Sequence, residues 1–341
     1  MLQEQFPILA ITMGDPAGCG PEIIVKALAD KKIYSLCRPL VFGDAGRLAV
    51  AAGIVKSQLK IHATDDAQKG LYEYGTIDVL DFANIPFDLP FGQVDSRAGH
   101  AAYMYIEGAI RQALDKKVTA IVTAPINKEA LHKGGHNFPG HTEILGELSN
   151  TKDYAMMLSS DDLKVIHVTT HVSMRQAADL IKKDRVLRII RLADRTLRLL
   201  GLKKPRIAVA GFNAHAGENG LFGREDIDEI LPAVEAAQQE GIAASGPIPP
   251  DTVFFRTAKR KEFDIVVVMY HDQGHVPIKL LGFDTGINVT VGLPFLRSSV
   301  DHGTAFDIAG KGIADSGSMT AAIAFAAKAA QGIVRQQAEK E

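Results

Sequence analysis

The sequence predicts an α/β fold in which the sheet strands are mainly parallel. Short, continuous apolar runs such as residues 265–269 are typical of strands that are buried on both faces. Segments whose apolar residues recur at steps of three and four, such as residues 176–200, are typical of helices packed on a sheet. The two kinds of segment alternate along the chain, which is the pattern of parallel strands joined by crossover helices.

The first half of the chain shows this alternation clearly. Its predicted elements are strands at residues 7–13, 38–44 and 120–123 and helices at residues 21–28 and 99–114. The turn before Pro21, GDPAGCG, is glycine-rich and could hold an anion at the helix N-terminus. A tight connection without a ligand explains the same residues, because neither G-x-G-x-x-G nor G-x-x-x-x-G-K-[ST] occurs in the chain. Residues 138–143 are expected to open a further helix that Thr142 caps.

The second half continues the pattern. Its predicted elements are strands at residues 163–170, 206–214 and 265–269 and helices at residues 176–200, 225–239 and 319–333. Residues 246–252 are rich in proline and are expected to form a stiff loop that contains Asp251. Residues 301–315 are punctuated by glycine, and as structure alone they are a loop before the last helix.

Composition excludes several classes of function. The 341 residues carry 38 basic and 40 acidic side chains, and no run of Lys and Arg provides the basic surface that nucleic-acid binding needs. No apolar segment approaches the roughly 20 residues needed to cross a bilayer, and no secretory signal is recognisable. The two cysteines, Cys19 and Cys37, are expected to be packing residues in a reducing compartment. These features predict a cytoplasmic protein that binds neither nucleic acid nor membrane.

Three predicted strands of the second half each lead into a histidine: His171, His215 and His271. Ligands of open α/β sheets bind beyond the carboxyl ends of the strands. Neutral imidazole is the commonest metal ligand, and three protein ligands with an open position are the arrangement of a catalytic zinc. No local spacing such as H-E-x-x-H links the three, so a solvated histidine explains each of them taken alone. Their repetition favours a shared metal site.

Residues 301–315, DHGTAFDIAGKGIAD, resemble the adenosine-binding loop of the isocitrate and isopropylmalate dehydrogenase superfamily. That superfamily binds NAD or NADP without a Rossmann fingerprint, in agreement with the absence of the fingerprint here. The resemblance implies a dinucleotide site formed by His302, Gly303, Thr304, Asp307 and Gly310.

Motifs spread over nearly the whole chain resemble those of the 4-hydroxythreonine-4-phosphate dehydrogenase family. They are GDPAGCGPEI, TAPINKEAL, FPGHTE, NAHAGENG, GPIPPDT, YHDQGHVPIK and GLPFLRSSVDHGTA. The resemblance implies an isocitrate/isopropylmalate dehydrogenase-like subunit with two domains that works as a homodimer. A dinucleotide-binding domain would comprise residues 1–130 and 300–341, and a domain for metal, substrate and dimerisation would comprise residues 131–299.

The resemblance also implies roles for individual residues. A divalent metal, zinc with cobalt, nickel or magnesium as alternatives, would be bound by His171, His215 and His271, the last from the neighbouring subunit. Substrate contacts carried over from the family are His141, Thr142, Lys279, Asn288 and Arg297. The two cations suit phosphate or carboxylate, and Lys279 is also a candidate catalytic residue. Asp251 and Asp272 are candidates for orienting metal ligands or transferring protons, although surface salt bridges would explain both carboxylates.

One departure from the family pattern, together with the residue pair Gly274-His275, bears on the substrate. After His215 the chain has AGENGLFG where members that make vitamin B6 usually have Gly-Gly-His, and His275 follows Gly274. Both resemble a subgroup that converts 4-phospho-D-threonate and 4-phospho-D-erythronate to dihydroxyacetone phosphate and CO₂. These substrates have a hydroxyl where the biosynthetic one has an amine, and His275 could face that position or be a loop histidine. The alternatives are the biosynthetic dehydrogenase and, in another class, a non-catalytic protein that binds a metal or a metabolite.

Overall fold

The computed structural model describes residues 6–282 and 286–338, and the chain divides into two compact units. The first unit runs to Tyr154 and resumes at Gly292, and the second is Ala155–Val291. Each unit has its own strands and helices, so the predicted α/β fold with two domains is confirmed. The assignment of dinucleotide binding to one domain and of metal and substrate binding to the other stays a prediction.

The described residues contain twelve strands. They are β1 (Ile8–Thr12), β2 (Arg38–Gly43), β3 (Lys60–Thr64), β4 (Thr76–Asp81), β5 (Ala120–Thr123), β6 (Ala155–Ser159), β7 (Lys164–His167), β8 (Arg206–Ala210), β9 (Ala243–Ile248), β10 (Ile265–Val268), β11 (Ile287–Val291) and β12 (Leu296–Val300). The side chains of β1 and β10 are buried throughout, as their continuous apolar runs predict.

Twelve α-helices accompany these strands in the described part of the chain. They are α1 (Gly20–Leu28), α2 (Lys31–Tyr34), α3 (Ala45–Ile54), α4 (Ser96–Leu114), α5 (Lys128–Lys133), α6 (His141–Leu148), α7 (Met174–Leu180), α8 (Lys183–Leu199), α9 (Leu231–Gln239), α10 (Pro250–Ala258), α11 (His271–Gly282) and α12 (Gly317–Ala338). Over those residues, no helix combines the length and the apolar character that crossing a membrane requires.

The strands of the first unit pair only in parallel over the described residues. Their order is β3-β4-β2-β1-β5-β12. The carboxyl ends of parallel neighbours lie at one edge of a sheet. The turns that follow Thr12, Thr123 and Val300 therefore share an edge, which brings the GDPAG turn beside the Ala124-Pro125 segment: the Asp15 N–H donates to the Pro125 carbonyl at 2.9 Å.

The second unit has the strand order β11-β6-β7-β10-β8-β9. The strands β7, β10, β8 and β9 are parallel, and β6 pairs in antiparallel fashion with both β7 and β11. The three strands predicted to lead into histidines, β7, β10 and β8, are direct neighbours. Their carboxyl ends consequently open side by side.

Three predictions of local structure are wrong. The continuous helix at residues 176–200 is interrupted, because Ile181 is extended (φ −73°, ψ 97°) and fully buried between α7 and α8. The predicted loop at residues 246–252 is the end of β9 and the first turn of α10. Thr142 does not cap α6, because Gly140 occupies the N-cap and no side chain caps this end.

The polar residues that follow β10 form the start of α11, which begins at His271 and contains Pro277. Gln273 anchors this turn: its side-chain oxygen accepts from the Met269 N–H at 2.6 Å, and its amide donates to the Gly211 carbonyl at 2.8 Å. The contact with Gly211 joins residues 62 positions apart, so it is not visible in the local sequence.

Candidate active site

Three candidate metal ligands follow neighbouring strands of the second unit. His271 is the first residue of α11 and lies three residues after the end of β10, and His171 lies four residues after the end of β7. The rings of these two histidines lie 5.7 Å apart between centroids. His215 lies in the turn after β8 and is exposed, with its ring 6.3 Å from that of Phe222. Within the described residues, no three metal-ligating side chains are grouped as a ready-made metal site.

The turn that carries His215 has an unusual backbone. Residues 215–219 all have left-handed φ values: 51°, 54°, 81°, 42° and 55°. Non-glycine residues pay a conformational cost in this region, and such strain tends to occur at functional sites. The buried Asp226 carboxylate stabilises the preceding backbone, since it accepts from the Phe212 and Asn213 N–H groups at 2.8 and 3.1 Å. Nothing in the local sequence marks Asp226 as part of the site, because its backbone partners lie 13 and 14 positions earlier in the chain.

The orientation of His271 is fixed by two neighbours on its own helix. Its Nδ1 lies 2.6 Å from Asp272 Oδ1, so Nδ1 carries the proton and donates it to the carboxylate. This tautomer leaves Nε2 as the nitrogen that can bind a metal, as in carboxylate–histidine–metal arrangements. The His275 ring stacks on the His271 ring at 3.6 Å and 10°, and His275 Nδ1 donates to the His271 carbonyl at 3.0 Å. His275 therefore contacts the candidate ligand directly.

A fourth histidine, His167, lies beneath this group. It is the last residue of β7, it is 1% exposed, and its ring is 4.9 Å from that of His275. Burial, with the neighbouring His275 as a second cause, lowers the pKa of His167 to about 3, so the ring is neutral. Its Nδ1 donates to the Met156 carbonyl at 3.2 Å. His167 was not predicted as a site residue, although a histidine inside the apolar run KVIHV is a signal visible in the sequence.

Gly274 allows α11 to approach His167. A Cβ atom at this position would lie 2.6 Å from His167 Nε2 and 2.9 Å from Val268 Cγ2. Gly274 is buried, so no open space is available to a displaced side chain. The glycine in the HDQGH motif is thus explained by packing.

Gly274→Ala is expected to lower the free energy of unfolding by about 1–3 kcal/mol, because overpacking a filled interior outweighs the gain in helix propensity. Gly53→Ala is the matched control, since a Cβ at this exposed helical glycine would meet nothing within 4 Å. The control is expected to raise stability by about 0.5–1 kcal/mol. Urea denaturation midpoints measure both effects. Stabilisation by both substitutions would contradict the packing role of Gly274.

The first unit holds a buried cationic group on β12. Arg297 is 3% exposed, and it donates from Nε and Nη2 to the Thr123 hydroxyl at 3.1 and 2.6 Å. Burial lowers the pKa of Arg297 to about 9, and Glu143 opposes the shift, so the guanidinium is still charged near neutral pH. A buried guanidinium is well suited to bind a phosphate or carboxylate.

His141 lies close enough to this cation to be affected by its charge, and Thr142 follows it in the chain. Burial, and then the charge of Arg297, hold the pKa of His141 well below its usual range, so its imidazole is neutral. His141 Nε2 is a buried atom without a hydrogen-bond partner among the described residues. Both residues are in the first turn of α6, whose N-terminus has no side-chain cap. First-turn N–H groups and a nearby cation together make an environment suited to an anion.

The other predicted substrate and acid–base residues are on the second unit. Asp251 is exposed in the first turn of α10, where a carboxylate is favoured by the helix dipole. Lys279 is exposed on α11, two turns beyond His271, and Asn288 is half-buried on β11. Asp272 is exposed and bonded to His271, as described above. Asp272 thus contacts the candidate metal ligand His271, and this contact is not a surface salt bridge with Lys or Arg.

The predicted dinucleotide loop is fixed on α1. The Glu22 carboxylate accepts from the N–H groups of Gly310 and Gly312, and Lys26 Nζ donates to the Gly312 and Ala314 carbonyls at 2.8 and 2.6 Å. The Cys19 N–H donates to the carbonyl of the buried Thr304 at 2.9 Å. These contacts leave His302, Gly303 and Asp307 exposed. The loop is therefore supported from one side and accessible on the other.

Comparison with known proteins identifies the family. A family model described as pyridoxal phosphate biosynthetic protein PdxA matches residues 35–326. The chain belongs to this family. Among its relatives, the D-threonate 4-phosphate dehydrogenase of Cupriavidus necator is 52% identical over 323 residues, which cover 94% of this chain and 97% of the relative. The 4-hydroxythreonine-4-phosphate dehydrogenase of Desulforapulum autotrophicum is 45% identical over 328 residues, 96% of each chain.

A solved structure agrees with this assignment. The crystal structure of a 4-hydroxythreonine-4-phosphate dehydrogenase from Burkholderia phymatum has a TM-score of 0.86 at 53% identity, covering 95% of this chain and 98% of that one. The family resemblance seen in the sequence is thereby confirmed. So is the enzyme class: this member of the PdxA family is an oxidoreductase that acts on a CH–OH group. The roles of individual site residues and the shared dimer site stay predictions.

Proposed function

We propose that this protein is an NAD- or NADP-dependent, metal-dependent dehydrogenase that converts 4-phospho-D-threonate or 4-phospho-D-erythronate to dihydroxyacetone phosphate and CO₂. The proposed working unit is a cytoplasmic homodimer in which His271 completes the neighbour's site. The observation that carries the metal-dependent chemistry is the placement of His171, His271 and His215 after three neighbouring parallel strands. The name of the Cupriavidus necator relative supports the sugar-acid substrate.

The donor chemistry of the site fits a divalent metal. Imidazole nitrogens suit zinc, and cobalt or nickel can substitute at such sites. Asp272 fixes His271 in the tautomer that a ligand requires. A metal bound by His171, His215 and His271 would supply Lewis-acid polarisation of the C3 hydroxyl and of the ketone formed from it.

The residues of this chain bind and orient the substrate. Arg297, His141 and Thr142 form the proposed anion-binding group of the first unit, and Lys279 is a cation of the second unit. Each suits a phosphate or a carboxylate, the two kinds of anionic group that the substrate carries. The neutral His141 can donate to or accept from a substrate oxygen. Asn288 can donate its amide N–H to an oxygen that gains negative charge during the reaction.

The order of bond changes follows from the substrate. Oxidation at C3 transfers a hydride to the nicotinamide and releases the hydroxyl proton, leaving a ketone β to the C1 carboxylate. The C1–C2 bond then breaks, CO₂ leaves, and the electron pair moves toward the ketone to give an enediol. Proton return to C2 yields dihydroxyacetone phosphate. Asp251 and Lys279 are the proposed proton-transfer residues.

The dinucleotide would lie against the accessible side of the loop on α1, at His302, Gly303, Thr304, Asp307 and Gly310. The exposed Asp307 suits a ribose hydroxyl, as acidic residues do in other NAD sites. This favours NAD over NADP, because a carboxylate repels a 2′-phosphate.

Substrate choice is tested by steady-state kinetics. We expect kcat/KM to be higher for 4-phospho-D-threonate than for 4-phosphooxy-L-threonine by about tenfold or more, because a site built for a hydroxyl leaves an ammonium without an acceptor. Dephosphorylated substrates should react poorly in either case, because the bound phosphate is lost. A preference for the amino acid would instead favour the vitamin B6 biosynthetic dehydrogenase. Absence of both turnover and dinucleotide binding would favour the non-catalytic alternative.

His275 provides a variant for the same experiment. If the His275 imidazole faces C2 of the substrate, His275→Ala should reduce the difference in kcat/KM between the two substrates. The stack of His275 on His271 predicts in addition that metal affinity falls in this variant, which titration with the apoprotein measures. If the difference in kcat/KM is unchanged while metal binding is weakened, the role of His275 is to orient His271 and not to contact the substrate.

A further inference from the structure

A cluster of aromatic and imidazole rings lies just before the anion-binding group of the first unit. His136, in the loop between α5 and α6, stacks on Tyr103 of α4 at 3.7 Å and 9°. His136 Nε2 lies 2.9 Å from Nδ1 of His100, one turn earlier on α4. The Phe138 ring is also stacked with Tyr103, at 6.1 Å between centroids and 17° between planes. No role assigned above involves these rings.

The cluster fixes the path of the loop into α6. His132 Nε2 donates to the Phe138 carbonyl at 2.9 Å, and the Phe138 N–H donates to the His136 carbonyl at 3.0 Å. Only Pro139 and Gly140 separate Phe138 from His141. The extended Gly140 (φ 173°) has no side chain to hold this segment. The positions of His141 and Thr142 therefore depend on the ring contacts of residues 136–138.

The contact between His100 and His136 depends on protonation. One ring nitrogen must donate and the other accept, so a fully protonated pair loses the bond and gains repulsion. Burial, and then His100, lower the pKa of His136 below its usual value, while Glu107 opposes the shift. Glu107 and Glu147 face the neighbouring Tyr103. Because the pKa of His136 is lower in the clamped loop than in a free histidine, protonation favours the released loop. The ring contacts are therefore fully favourable above the usual histidine pKa of about 6.5 and weaken as the pH falls below that value.

We propose that His136 is a positioning residue: clamped by Tyr103 and His100, it fixes the segment that carries His141 and Thr142, and it releases this segment when protonated. The ligand whose binding responds is an anionic, phosphorylated substrate. This inference rests on the proposed function of His141 and Thr142 as substrate contacts. It adds three residues, His100, Tyr103 and His136, to those that determine substrate affinity.

The test compares His136→Ala, which removes the stack and the hydrogen bond, with His136→Phe, which keeps a flat ring on Tyr103 but cannot be protonated. His62→Gln is the control, because His62 is a partly exposed histidine on β3 of the same unit. KM and kcat for 4-phospho-D-threonate are measured between about pH 7.5 and about pH 5.5, on either side of the usual histidine pKa. Hydrogen exchange of the amides of residues 135–142 is measured over the same range without substrate.

His136→Ala should raise KM by about tenfold at the higher pH, a loss comparable to one stack and one hydrogen bond, with kcat changed far less. His136→Phe should restore most of the affinity and show a smaller rise of KM at low pH than the wild type and His62→Gln. Relative to the intrinsic amide exchange rate at each pH, loop exchange should accelerate at low pH in the wild type and at all pH values in His136→Ala. Equal loop exchange in wild type and His136→Ala, or a fall in kcat without a change in KM, would overturn the proposal. Because the exchange measurement needs no substrate, failure of the proposed reaction would be recognised separately.

Discussion

His215→Ala is expected to abolish nearly all turnover while leaving the fold intact. Loss of one of three imidazole ligands should weaken metal binding by more than the 10- to 100-fold that removal of an outer partner typically costs. His215 is exposed, so its removal leaves no buried cavity. Asp226 holds the backbone at Phe212 and Asn213, just before the left-handed turn at residues 215–219, and these bonds do not involve the imidazole. Metal content after dialysis measures the loss of metal binding, and the far-ultraviolet circular dichroism spectrum shows whether the fold is intact.

His62→Gln is the matched control, because it removes a histidine from a strand of the other unit. It should bind metal and turn over like the wild type. Full turnover of the wild type after exhaustive chelation would contradict the metal requirement itself. A His215→Ala variant that keeps its metal and its activity would instead remove His215 from the ligand set.

A mixture of His171→Ala and His271→Ala subunits, each inactive alone, is expected to recover about a quarter of wild-type activity. Half of the dimers in an equal mixture are mixed, and in each of these one site collects both lesions while the other is intact. This result requires that His271 serves the neighbour's site. In one chain, however, the rings of His171 and His271 are only 5.7 Å apart, which is the geometry expected if both belonged to the same site.

In that second arrangement every site of the mixture carries one lesion, and no activity returns. Subunit exchange must therefore be demonstrated independently, for example with two differently tagged wild-type preparations. A mixture of His171→Ala with His215→Ala is the internal control. The two lesions fall in the same half-site under the shared arrangement, so each mixed dimer then keeps one lesion in each site and stays inactive.

The strands that carry the candidate site were predictable because their signals are local. The apolar run at Ile265 to Met269 can only be a buried segment, and a histidine after it falls at the edge where sheets bind ligands. The interruption of the helix at Ile181 was not predictable. Helix propensity continues through this residue, and it is the burial of Ile181 in an extended conformation that ends α7.

The environment of the ligands was less accessible to sequence reasoning than the ligands themselves. Asp226 acts on residues 13 and 14 positions away, and Gln273 bonds across 62 positions to Gly211. His167 and Gly274 are explained only when β7 and α11 are seen in contact. The family resemblance indicated which residues are candidate metal ligands. Apart from Asp272, the residues that orient these ligands depend on packing between distant segments and were not predicted.

The pairing of β7 with β10 also has a consequence during protein synthesis. The Val168 N–H donates to the Val268 carbonyl, and the Thr169 hydroxyl donates to the Met269 carbonyl, so these partners are 100 residues apart. A growing chain must therefore emerge from the ribosome past Met269 before the end of β7 is paired. Until then, β7 has β6 as a neighbour on one side and an open edge on the other. Nascent chains stalled between His171 and Met269 should accordingly depend on chaperones more than the completed protein does.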